Sequence, residues 1–121
     1  MKLLTPVDIE QRLNGLSEEL DEAYEEMAFQ EMEYQKAKHK YEMTAARARM
    51  QLGHQYKDSG LRLTVQDKED MALEKCQGEA LALAIAEAQV KASRANLARI
   101  RTQIDVARSM GASIRSATEL V

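Results

Sequence analysis

The sequence predicts an all-α protein built on one long antiparallel two-helix coiled-coil hairpin. Residues that favour helices dominate a chain with one Pro, five Gly, one Phe and no Trp. Two stretches carry apolar residues at alternating spacings of four and three, the heptad spacing of coiled coils. Between them lies the only dense cluster of turn formers, Lys57-Asp58-Ser59-Gly60.

The first helix is predicted over about residues 6–55. Thr5 can cap its start, Pro6 suits the first helical position, and Asp8 suits the positive end of the helix dipole. Gln30 and Thr44 are polar interruptions of an otherwise regular heptad seam. The predicted buried positions are Ile9, Leu13, Leu16, Leu20, Ala23, Met27, Gln30, Tyr34, Ala37, Tyr41, Thr44 and Ala48.

The second helix is predicted over about residues 65–110, after a turn over about 56–63. Thr64-Val65-Gln66-Asp67 resembles a capping box with Asp in place of Glu. Gly111 favours a helix stop, so residues 111–121 are predicted to form a tail of the single domain 1–121. Ile114 keeps the apolar period, however, so the alternative is that the helix continues. The second seam contains Ala72, Cys76, Glu79 or Ala80, Leu83, Ala86, Val90, Ser93, Leu97, Ile100, Ile104 and Ala107.

The order of charges favours an antiparallel arrangement. Acidic residues occupy Glu18–Glu33 and the start of the second helix, whereas basic residues occupy Lys36–Arg49 and Lys91–Arg108. Folding back near Asp58–Gly60 sets acid beside base, and a parallel arrangement would set like charges together. Each exposed pair contributes only about 0.2–1 kcal/mol, but several pairs of one sign select an orientation. The same order suits two paired chains, so a dimer stays open.

Composition and motifs predict a protein that is not an enzyme. The net charge of −3 gives no strong overall attraction to nucleic acid or anionic membranes. There is no phosphate-binding glycine loop, no Cys-x-x-Cys and no His-Glu-x-x-His, and His39 and His54 fit no metal-ligand spacing. We expect no catalytic residue, metal, cofactor or small-molecule substrate, and Cys76 is interpreted as a small buried apolar residue. With no apolar run long enough for a signal peptide or a membrane span, we expect a cytoplasmic protein without membrane contact.

Two groups of residues outside the seams are candidate binding sites. Apolar residues off the seams need another surface, either a second copy in a homo-oligomer or a groove for a partner helix. These are Tyr24, Met32, Met43, Leu81 and Ile85. Basic residues near the turn could contact nucleic-acid phosphates, although acids of the second helix oppose them and no aromatic platform for stacked bases interleaves them. These are Lys36, Lys38, Lys40, Arg47, Arg49, Lys57 and Arg62.

Several local patterns resemble small helical coiled-coil proteins of tailed bacteriophages, from the early and recombination gene region. They are the Ala45–Arg49 stretch, the capping sequence Thr64–Asp70, and the spacing of Arg101, Ile104 and Arg108 in an Ala-rich second helix. The resemblance implies a phage accessory protein without catalytic residues. We therefore expect a non-enzymatic protein–protein interaction or scaffold protein. It would be a phage accessory factor for DNA replication, recombination or counter-defence. A nucleic-acid-binding accessory protein is the alternative.

Overall fold

The computed structural model describes residues 4–57, 60 and 63–119, and all secondary structure in them is helical. The first helix, α1, spans Pro6–Lys57; α2 spans Val65–Lys75; and α3 spans Gln77–Glu119. The all-α class predicted from the sequence is therefore confirmed.

Capping side chains start α1 and α2 where the sequence predicts starts. The amide and hydroxyl of Thr5 both donate to Asp8 Oδ2 at 2.9 Å, and the Asp8 amide donates to Thr5 Oγ1 at 3.2 Å. The backbone hydrogen bond from Thr5, followed by that from its side chain, holds the pKa of the Asp8 carboxyl below its ordinary value of 3.8. The predicted capping box of α2 is confirmed, because Thr64 and Asp67 exchange side-chain-to-backbone bonds of 3.0 and 3.2 Å.

The predicted second helix is divided in the structure. Cys76 leaves helical backbone angles, with φ −111° and ψ 23°, and its amide bonds to the carbonyls of both Ala72 and Leu73. This sharing tightens the last turn of α2, and α3 begins at the next residue.

The end of the second helix also differs from the prediction. α3 continues through Gly111 to Glu119, so most of the predicted tail is helical. Gly60, with φ +72°, is the only described glycine in the left-handed conformation, so Gly111 makes no left-handed helix cap. A Cβ atom at Gly111 would lie 3.2 Å from Ile9 Cγ2. The glycine therefore serves a close approach of two helices.

The chain divides into two compact units. Met1–Phe29 and Lys91–Val121 form one, here the terminal unit, and Gln30–Val90 form the other, here the middle unit. The core of the terminal unit comprises Leu16, Ala23, Leu97, Ile100 and Ala107, with Leu13, Leu20, Met27 and Ile104 packed against it. That of the middle unit comprises Ala45, Ala48, Leu52, Ala72 and Cys76, with Tyr41, Tyr56 and Met71 packed against it.

The two predicted seams are confirmed as the buried faces of the helices. Every predicted seam position, including the polar Gln30, Thr44 and Ser93, is buried or half-buried. The buried side-chain volume of the two cores is small, because many of the buried residues are alanines. The largest fully buried side chains are Leu16, Leu52, Ile100 and Cys76.

Replacing Leu16 by Ala should lower the free energy of unfolding by about 2–5 kcal/mol, since this leucine is 1% exposed in the core of the terminal unit. The control Leu73→Ala removes the same atoms from a side chain that is 48% exposed. It should change the free energy by at most about 0.5 kcal/mol. Urea unfolding followed by circular dichroism, at one protein concentration, measures both; equal losses would contradict the assigned core.

Candidate functional site

Six of the seven cations predicted as nucleic-acid contacts are exposed on α1 in the middle unit. The seventh, Arg62, lies outside the described residues. The six exposed cations are Lys36, Lys38, Lys40, Arg47, Arg49 and Lys57.

Helix geometry places four of these cations in one row. The residues of the row follow one another at spacings of four and three, which keeps them in line along a helix. All are exposed and none is acidic. At 1.5 Å per residue the row is about 30 Å long. We call it the basic stripe; its members are Lys36, Lys40, Met43, Arg47, Met50, His54 and Lys57.

Lys38 and Arg49 lie on another side of α1, where the signs of charge alternate. Glu31, Lys38, Glu42 and Arg49 follow one another at spacings of seven, four and seven, so they share that side. Among these six cations, positive charge therefore accumulates on the basic stripe. The six cations that were grouped by residue type in the sequence therefore lie on two different sides of α1.

Most charges of the basic stripe have no acidic partner in the described part of the chain. Lys36 Nζ lies 3.4 Å from Glu33 Oε1, an exposed pair on one helix. Lys40, Arg47 and Lys57 have no described carboxylate at ion-pair distance. No described carboxylate of the middle unit therefore neutralises their charge.

All five predicted apolar contact residues are exposed, between 44% for Tyr24 and Met43 and 62% for Leu81. On α3, Leu81, Ile85 and Ala88 are spaced by four and three, and Ala84 lies beside them; all four are exposed. We call these four residues the apolar stripe of α3. The alanines were missed in the sequence, because alanine is also the commonest neutral helix former.

Tyr24 is engaged within its own unit. Its hydroxyl accepts a hydrogen bond from the Arg101 guanidinium, whose carbon lies 5.4 Å from the centre of the tyrosine ring. Such a cation–π contact adds to the hydrogen bond in joining α1 and α3. Tyr24 thus differs from Met32 and Met43, for which the structure shows no comparable contact in the middle unit.

The acidic part of α1 forms a second charged surface. Glu18, Asp21, Glu22 and Glu25 are all exposed on α1 in the terminal unit. We call these four residues the acidic surface. A shallow depression of about 560 Å³ lies beside it and has Glu22 in its lining. The lining also contains two further acids and two arginines, namely Arg12, Glu19, Glu26 and Arg99.

Neither the histidines nor Cys76 belongs to a candidate metal site in the part of the chain that the structure describes. His39 and His54 are exposed, and the described residues hold no group of three or more His, Cys, Asp or Glu arranged to bind a metal ion. Cys76 has no exposed surface and packs in the core of the middle unit. This burial agrees with its interpretation as a small apolar residue.

No described helix contains an apolar stretch long enough to cross a membrane. Neither a family model, nor a curated protein, nor a solved structure matches this chain. The function is therefore inferred from the residues of the chain itself.

Because Cys76 is fully buried, its thiol should react slowly with a water-soluble maleimide in the native protein. We expect labelling at least about a hundredfold slower than in denaturant, since the reagent must wait for local opening. Mass spectrometry over time measures the rate. Rapid labelling of protein that retains its helical circular dichroism would contradict the packing of α2 against α1.

Proposed function

We propose that this chain is a non-enzymatic helical interaction protein that associates with further copies of itself and serves as a scaffold. The observation that carries the proposal is the apolar stripe of α3. Leu81, Ile85 and Ala88 repeat the heptad spacing on the side of α3 away from its buried seam. A helix with apolar residues on two sides requires a second packing partner.

The building unit that we propose is the antiparallel two-helix hairpin. Contacts within the terminal unit support it, because their order is reversed between the helices. Ile9, early in α1, lies beside Gly111, whereas Tyr24, later in α1, bonds to Arg101, earlier in α3. Packing of such hairpins through outer stripes would produce a helical bundle.

A second copy is the simplest partner for these stripes. Met32 and Met43 on α1 and Leu81 and Ile85 on α3 are each about half exposed, and leucine and methionine surfaces of this kind suit helix-on-helix packing. The biological setting that we propose is accessory to phage DNA replication, recombination or counter-defence in the bacterial cytoplasm. Only the resemblance of the local sequence patterns supports that setting.

Light scattering after size exclusion tests self-association. We expect the wild type to form a homo-oligomer at micromolar concentration and Leu81→Glu/Ile85→Glu to form a smaller species. Two buried carboxylates would replace apolar contacts, which should weaken association at least about a hundredfold. The control Val65→Glu/Leu73→Glu adds the same charge at exposed apolar residues of α2 and should keep the wild-type mass.

A monomeric wild type would refute the proposed self-association. An unchanged mass of the Leu81→Glu/Ile85→Glu variant would show that the apolar stripe of α3 is not the contact. Circular dichroism of each variant shows whether its helices are retained, so that loss of association is separated from loss of fold.

A second candidate function is nucleic-acid binding, and the basic stripe is the observation that favours it. Four cations and His54 lie along about 30 Å of one helix side without an acidic residue among them. Such a row can neutralise phosphates of one nucleic-acid backbone. Met43 and Met50 would make no ionic contact there.

Titration of labelled single- and double-stranded DNA at two salt concentrations tests this candidate. If it holds, binding weakens steeply with salt, and Lys40→Glu/Arg47→Glu abolishes it. The matched control Lys38→Glu/Arg49→Glu makes the same change of charge off the stripe and should bind more tightly than the stripe variant. Equal binding by the two variants would exclude the basic stripe as the phosphate contact.

A further inference from the structure

We propose that the basic stripe of one copy docks against the acidic surface of α1 in a second copy. The inference rests on the self-association proposed above and assigns a specific ionic contact to it. The basic stripe and the acidic surface are each exposed, and each belongs to every copy of the chain.

The spacing of charges on the two surfaces matches. Glu18 and Glu25 are seven residues apart, as are Lys40 and Arg47, so each pair is separated by about 10.5 Å along α1. An antiparallel pairing of the two helices can therefore join Glu18 to Arg47 and Glu25 to Lys40 at the same time. Ionic contacts of this kind set partner choice and orientation between packed helices.

The same alignment gives the methionines of the stripe a place. It brings Met50 opposite Gly15 of the second copy, and Met43 opposite Glu22. Gly15 is exposed and has open space within 4 Å of the position where a Cβ would stand. The Met50 side chain can occupy that space, and the methylene groups of Glu22 can pack along Met43.

These features favour a helix over nucleic acid as the occupant. Two methionines lie among the cations of the basic stripe, and a helix offers them apolar contacts that a phosphate backbone does not. The chain as a whole carries a net charge of −3, which opposes its approach to nucleic acid but leaves two copies with complementary local surfaces.

A charge-swap experiment on the full chain tests the docking. The variant Lys40→Glu/Arg47→Glu and the variant Glu18→Lys/Glu25→Lys should each associate at least about tenfold more weakly than the wild type, because attraction becomes repulsion. An equimolar mixture of the two variants should recover association to within about threefold of the wild type, because one native and one swapped set of pairs then join the two copies. Sedimentation equilibrium with one fluorescently labelled variant measures each constant.

The control Lys38→Glu/Arg49→Glu alters one lysine and one arginine of the same helix, off the stripe, and should associate within about threefold of the wild type. Circular dichroism verifies that every variant retains its helices. A mixture of Glu18→Lys/Glu25→Lys with this control carries the same net charges as the first mixture but keeps one repulsive set of pairs. It should therefore associate more weakly than the first mixture, which separates the paired contacts from attraction between net charges.

Each other outcome overturns the docking in a recognisable way. A wild type that associates while the stripe variant associates equally well overturns this contact and leaves the proposed self-association standing. A monomeric wild type overturns both. If the stripe variant loses binding to labelled DNA while its self-association is unchanged, the stripe is a nucleic-acid site and the proposal fails.

Discussion

The structure depends on burying one apolar seam along each helix at heptad spacing. The seam is narrow and rich in alanine, so only a few large side chains are fully buried in it, such as Leu16, Leu52 and Ile100. A helix of 52 residues that buries only this seam leaves most of its surface to solvent or to partners. The many exposed methionine, leucine and isoleucine side chains follow from that geometry, and the proposed self-association depends on them.

Hydrophobic period was sufficient to find the buried faces but not the helix ends. The seam runs through Ala72, Cys76 and Ala80 without interruption, and burial of Cys76 is compatible with a break in the backbone helix. Apolar spacing alone therefore could not reveal the end of α2. Gly111 favoured a stop by propensity, although the period of Ile114 left continuation open. In the structure the helix continues, and Gly111 lies so near Ile9 that an added Cβ would stand 3.2 Å from Ile9 Cγ2.

The candidate surfaces were predictable by residue type and less so by side of the helix. Lys38 and Lys40 are two positions apart, so they point to different sides, and only Lys40 belongs to the basic stripe. Applying the heptad period to charges as well as to apolar residues would have separated them. Ala84 and Ala88 carry too little apolar area to attract notice in a sequence, and the helix places them beside Leu81 and Ile85 on one exposed side.

Separation of charge along α1 has different consequences beside the seam and away from it. Charges beside a seam can be neutralised by the helix packed there, and such pairs favour one orientation of two packed helices. Charges on an outer face lie in water, where charges of another molecule can reach them. Glu18 and Glu25 lie on exposed positions as Lys40 and Arg47 do, so one helix carries both halves of the docking contact proposed above. Because every copy supplies both halves, the proposed docking would need no second kind of protein, and its strength should fall as salt screens the exposed pairs.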